Sequence, residues 1–168
     1  KIITLNRENP LLKDIGNLLN VEGVKNFNYK NEKIRLFDAI SPFDFRYYGR
    51  NEKIKERLQP YLSENAFIKY ASKVEEALTN VLAKRGICSK EIAEEVSRAC
   101  RQVTPEEVYE EEDRIKHNIR ALANCIRNKV SEKAKPYVHF TTTSHDIICT
   151  ADSLRYKEFT NNILLPDL

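Results

Sequence analysis

From Ser63 onward, apolar residues return every three or four positions, the period of a helix buried along one face. Ala66, Phe67, Tyr70, Ala71, Val74, Ala77, Leu78, Val81 and Leu82 make one such stripe. Ser63 precedes it as a cap, and Gly86 follows it where a left-handed residue ends a helix. The pattern predicts a helix from Ser63 to Lys84 or Arg85. A shorter helix is predicted after Ser89, with Ile92, Ala93, Val96, Ala99 and Val103 on one face. Thr104, Pro105 and Glu107 then form a helix start: a hydroxyl cap, a proline in the first turn and a carboxylate three residues after the cap. The acidic run Glu106 to Asp113 suits the positive end of that helix, or simply a solvated first turn. Val108, Ile115, Ile119, Leu122, Ala123 and Ile126 would carry the helix to about Val130. A last helix is predicted from near Ser144 to Phe159 or beyond. The fold class is all-α, with few or no strands.

Two stretches stand apart from this pattern. Residues 1–38 read as an N-terminal extension rich in Asn and Lys, with a short helix over Pro10–Leu19 behind an Asn9 cap. Residues 39–168 read as the helical domain. Within it, Lys135 to Thr143 interrupts the helices, and two of the three histidines lie in or beside that interruption.

Composition narrows the function classes. Apolar residues are 41% of 168, enough for one domain with a buried core. The 28 basic and 25 acidic side chains leave a net charge of +3. That is too balanced for nucleic acid, which requires a clustered basic stripe. No apolar run approaches the roughly 20 residues of a membrane span. Lys1–Thr4 leads into polar residues, not into the apolar core of a signal peptide. The expected location is cytoplasmic. Cys88, Cys100, Cys125 and Cys149 form no C-x-x-C pair and sit beside apolar residues, which favours packing over zinc or redox chemistry.

Candidate chemistry collects around the interruption. In TTTSHD, Thr143 or Ser144 opens a helix and Asp146 stands three residues after Thr143, a capping box with Asp in place of Glu. A helix N-terminus presents free N–H groups and positive partial charge, and adjacent hydroxyls add donors. Such a place receives a carboxylate or phosphate; it is equally an ordinary capped helix. His139 stands four residues before Thr143. His117, in RIKHNIRAL, falls off the apolar stripe and is placed to face a cleft. His145 is placed to face solvent as readily. Three histidines without carboxylates at ligand spacing make a poor metal site. Arg46 beside Tyr47, in SPFDFRYYGR, joins a guanidinium to a phenol, a pair that can hold a phosphate.

Taken in order, SPFDFRYYG, IKHNIRAL and PYVHFTTTSHDIICTADSLRYKEF resemble three successive segments of adenylosuccinate lyase, in the fumarase/aspartase superfamily. The family shows an S-P-x-D-x-R-Y-like opening, an H-D-[IV] helix motif and an H-[FYW]-G-x-T-S-x-D-[IV]-x-[DN]-T-A segment. The resemblance runs from about Ala39 to Leu165, and the Arg-Tyr opening favours this family over cycloisomerases and argininosuccinate lyase. It implies the N-terminal helical domain of the superfamily, in a chain that stops where a central helical bundle should begin.

Carried over by position, Arg46 and Tyr47 would bind a nucleotide phosphate. Lys116, His117 and Asn118 would line the substrate pocket. Thr143 and Ser144 would hold the succinyl carboxylates. His117 and His139 would support catalysis, while the principal acid and base would come from the missing bundle. The resemblance implies elimination of fumarate from adenylosuccinate, giving AMP, and from the succinylated carboxamide ribotide. It also implies a homotetramer, no cofactor and no metal, with the isolated chain inactive. Three positions depart from the family pattern: Thr141 replaces a Gly, Asn118 an Asp, and Cys149 an Asp or Asn. The first implies a somewhat altered loop. These departures keep two alternatives in view, another fumarate-releasing lyase of the superfamily or a non-catalytic helical assembly module.

Overall fold

The computed structural model describes residues 43–168; the N-terminal extension and its expected helix at 10–19 lie outside the described residues. A π-helical turn, Phe43–Gly49, leads into six α-helices. These are α1 (Glu52–Leu62), α2 (Glu64–Lys84), α3 (Lys90–Gln102), α4 (Pro105–Ile115), α5 (Asn118–Arg127) and α6 (Ser144–Phe159). No strand occurs among the described residues, so the all-α expectation holds.

α2 is the central strut, packing against α1, α3 and α6, while α4 pairs with α5. Caps fix most helix starts. The Ser63 hydroxyl accepts from Ala66 N–H at 3.1 Å and donates to the Gln59 carbonyl at 2.7 Å, so one side chain joins α1 to α2. α2 ends as expected: Gly86 takes φ +71°, and Ile87 N–H returns to the Leu82 carbonyl at 3.0 Å. Ser89 caps α3. At α4, Thr104 N–H donates to Glu107 Oε1 at 2.7 Å, and Glu107 N–H returns to the Thr104 hydroxyl at 3.4 Å. Ile119, Leu122, Ile126 and Ile147 are fully buried. Burial of each contributes about 1.5–3 kcal/mol. Ala71, Ala99, Ala121, Ala123 and Ala151 are buried among them and let helices approach closely.

Three expectations are corrected. The helix from Thr104 to about Val130 is two helices. Lys116 adopts φ +58° and its N–H closes on the Glu112 carbonyl, ending α4. His117 is extended and caps α5: its Nδ1 accepts from Arg120 N–H at 3.3 Å. Asn118 Oδ1 accepts from the adjoining Ile119 N–H at 2.7 Å. Side chains that bond nearby backbone in this way compete with helix continuation, so the apolar stripe runs on while the helix breaks. α1 was not anticipated, because Pro60 sits inside it; the proline falls near the C-terminal end, where it leaves the first turns of the helix intact. The buried face of α2 is also rotated from the stripe. Ser72, Glu75 and Thr79 are buried, whereas Ala77 and Val81 are exposed.

Cys88, Cys100 and Cys125 are buried and Cys149 is exposed, all four as free thiols. Burial pushes the Cys100 thiol up to about 12, with Glu75 and Glu76 adding to the effect. The Cys125 thiol is pushed up to about 11, again chiefly by burial. No described helix is long and apolar enough to cross a membrane.

Candidate functional site

The interruption between α5 and α6 is an ordered loop built on a buried carboxylate–imidazole contact. Pro136 opens a single 3₁₀ turn, Lys135–Tyr137, and Val138 buries its side chain completely. The chain then enters the left-handed region twice, at His139 (φ +59°) and Thr141 (φ +57°). A branched residue is rarely found there, and the surroundings must hold it.

Glu75 of α2 supplies much of that hold. Its side chain is 0% exposed. Oε2 accepts from His139 N–H at 3.0 Å, and Oε1 lies 2.6 Å from His139 Nδ1. One carboxylate therefore fixes both the backbone and the ring of the same residue. The bonds also answer the cost of burying a charge, which is several kcal/mol when nothing compensates it. Thr79, one turn along α2, donates to the Glu75 carbonyl at 3.1 Å, with the Tyr137 carbonyl 3.5 Å away. Arg127 closes the loop from α5: Nη2 donates to the Val138 carbonyl at 2.9 Å and Nε to the Lys135 carbonyl at 3.3 Å. Burial, with Arg120 nearby, pushes the Arg127 guanidinium below its usual value, and the Glu75 carboxylate opposes that shift.

Past His139 the loop presents hydroxyls. Thr142 Oγ1 lies 3.3 Å from His139 Nδ1. Thr143 is the N-cap of α6, its N–H donating to Asp146 Oδ2 at 2.8 Å, and Ser144 is the first helical residue. The expected cap with Asp in place of Glu is present. Thr143 is exposed and Ser144 half-buried. His139, Thr142, Thr143 and Ser144 thus share one loop ending in a helix N-terminus, an arrangement suited to an anion. At Thr141 the backbone takes φ +57°, a left-handed conformation that glycine adopts more readily.

The remaining candidates lie elsewhere on the chain. Lys116, His117 and Asn118 form the junction of α4 and α5, not a mid-helix site. The ten residues of α5, Asn118–Arg127, amount to about 15 Å of helix. Lys116 Nζ lies 3.6 Å from Asp113. Arg46 and Tyr47 are exposed on the π-helical turn, Tyr47 at 61%. Among the described residues, no hydrogen bond or ion pair connects either group to the His139 loop. His145 is exposed, its Nδ1 3.9 Å from Cys149 Sγ. No group of three or more His, Cys, Asp or Glu able to hold a metal occurs among the described residues.

Glu75 and Arg127 were missed by sequence reasoning. A signal for Glu75 did exist. Ile68, Ser72, Glu75, Thr79 and Leu82 repeat at intervals of four and three, a helical face with polar residues between apolar ends. Two of these polar residues, Glu75 and Thr79, meet polar groups of the loop at Tyr137 and His139.

Comparison with known proteins identifies the relatives. No family model matches the chain. The adenylosuccinate lyase of Archaeoglobus fulgidus is 40% identical over 119 residues, 71% of this chain and 25% of that protein. Over the matched residues, the chain is similar in sequence to adenylosuccinate lyases. The enzyme of that name from Methanocaldococcus jannaschii is 37% identical over 122 residues, again 71% of this chain and 25% of that protein. A crystallised fumarate lyase from Mesorhizobium sp. BNC1 superposes with a TM-score of 0.53 at 25% identity, over 64% of this chain and 25% of that one. The chain therefore spans about a quarter of the length of its adenylosuccinate lyase relatives.

Proposed function

We propose that this chain supplies the substrate-binding part of an adenylosuccinate lyase, which eliminates fumarate from adenylosuccinate to leave AMP and from the succinylated carboxamide ribotide. The observation that carries the reading is the His139–Ser144 loop. It sets an imidazole, hydroxyls and a helix N-terminus side by side, in a chain whose relatives are named for this reaction. In the elimination, a base takes the proton from the carbon beside a succinyl carboxylate. The C–H electron pair becomes the new C=C bond, the C–N bond breaks with its pair going to nitrogen, and an acid protonates that nitrogen. Charge accumulates on the carboxylate in the transition state, so oriented donors there lower the barrier.

Thr143 and Ser144 would hold the succinyl carboxylates, with His139 beside them. Arg46 and Tyr47 would hold the nucleotide phosphate, and their exposure leaves them open to a ligand. Lys116, His117 and Asn118 would line another part of the pocket. About 15 Å of helix lies between His117 and the foot of the loop. A complete pocket would then draw residues from several subunits, as a homotetramer allows. The proton-transferring acid and base would come from outside this chain, the reaction would use no cofactor or metal, and the enzyme would work in the cytoplasm.

The test is fumarate release, followed by absorbance, with adenylosuccinate as substrate. The full-length protein is expected to turn over and this chain alone is not; turnover by the chain alone overturns the division of labour. Arg46→Ala in the full-length protein should raise KM roughly tenfold or more, as loss of a charge-assisted phosphate bond implies, with kcat less affected. An unchanged KM refutes the phosphate role.

A further inference from the structure

We infer that Glu75 is a positioning residue that sets the tautomer and orientation of His139, and so decides which ring nitrogen meets the ligand. The inference rests on the proposed anion-binding role of the loop but is tested separately from it. Glu75 is the one acidic residue buried completely among the described residues. If α2 needed only to anchor the loop backbone, an accepting oxygen for His139 N–H would suffice, and a neutral side chain could provide it. The second oxygen, 2.6 Å from Nδ1, does something more specific. A carboxylate only accepts, so Nδ1 must carry a proton and donate it. Nδ1 lies in the interior, and the ring as a whole keeps 11% exposure. Nε2 makes no bond to another described residue and is left for a ligand. In the neutral ring it offers a lone pair. In the protonated ring it offers N–H to an anionic oxygen.

The left-handed backbone at His139 gives this contact its purpose. Turning the chain at φ +59° aims the backbone N–H and the ring at the same carboxylate. Thr142 Oγ1 lies 3.3 Å from Nδ1 on the same side; a hydroxyl both donates and accepts, so this contact suits the ring without fixing its proton. Arg127 fixes the carbonyls just before the turn, so the ring is held from both flanks. Glu75→Gln separates the two functions. The amide oxygen can still accept from His139 N–H, but the amide NH₂ then faces Nδ1. That forces Nδ1 to accept and moves the ring proton to Nε2.

The first measurement needs only the unmodified chain. Two-dimensional ¹H–¹⁵N spectra of histidine rings separate the tautomers, with His139 identified by its loss in His139→Asn, a residue that tolerates positive φ. The expected neutral form is Nδ1–H; a predominantly Nε2–H ring overturns the proposal. Glu75→Gln should convert that ring to Nε2–H; a folded variant with an unchanged tautomer also overturns it. In the full-length enzyme, Glu75→Gln should lower kcat/KM roughly ten- to a hundredfold, the scale of a misplaced binding group. The same change on a His139→Asn background should cost less than about twofold, because Glu75 acts through that ring. Equal losses on both backgrounds would show a scaffold role only and refute the assignment. If the full-length protein releases no fumarate, the functional reading fails while the tautomer still decides the role of Glu75.

Discussion

Thr141→Gly should stabilise this protein, although it removes a side chain. Thr141 sits at φ +57°. For an L-residue the left-handed region costs about 1–2 kcal/mol, because Cβ crowds the following carbonyl. Glycine avoids that cost and instead gives up about 0.4–1 kcal/mol through the greater freedom of its unfolded chain. Thr141 is exposed, and its hydroxyl bonds to no other described residue, so little packing is lost. The net gain is about 0.5–1 kcal/mol, a rise in Tm of roughly 1–4 °C for a chain of this size. Gly86→Ala is the reciprocal experiment. Gly86 takes φ +71° at the end of α2, and an added Cβ would meet nothing within 4 Å. Its cost is therefore conformational alone, a loss of about 0.5–1 kcal/mol by the same balance. Thermal unfolding followed by far-ultraviolet circular dichroism measures both. A fall in Tm for Thr141→Gly beyond about 1 °C would refute the reasoning, since relief of backbone strain would then not outweigh the freedom that glycine adds to the unfolded chain.

Two further predictions concern burial and charge. Thiol titration with a disulfide reagent should find fast reaction only at Cys149 in the native chain and at all four cysteines after denaturation, because burial withholds the others and raises Cys100 and Cys125. Fast native reaction of a second thiol contradicts the packing. Glu111 accepts from Arg114 Nη2 at 2.6 Å and from Asn124 Nδ2 at 2.7 Å, and Arg114 is the larger cause holding its carboxyl below the usual range. A depressed folded value contributes stability above the unfolded value of about 4.3, and that contribution is lost as pH falls through the folded value. The Tm difference between wild type and Glu111→Gln should thus be present at neutral pH and vanish in acid; a difference that grows on acidification has the wrong sign.

The apolar period and the cap chemistry determined α2, α3, the start of α4 and the whole of α6, because these signals are local: a hydroxyl, a proline or a glycine acts within one turn of itself. The motif around Thr143 and Ser144 was legible for the same reason. Tertiary structure decided the rest. His117 became a cap because its ring and Asn118 found backbone partners that outcompeted a helix which apolar spacing alone would continue. α2 turned Glu75 and Thr79 inward, in place of Ala77 and Val81, because the loop at 137–139, nearly sixty or more residues away in sequence, brought polar backbone and an imidazole to that face. Thr141 could take a left-handed backbone because the loop around it is fixed from α2 and α5, by Glu75 and Arg127. The chain by itself marked a hydroxyl-rich helix start just after His139. Only the packing of α2 and α5 against the loop decided which group holds the histidine and which nitrogen that histidine presents.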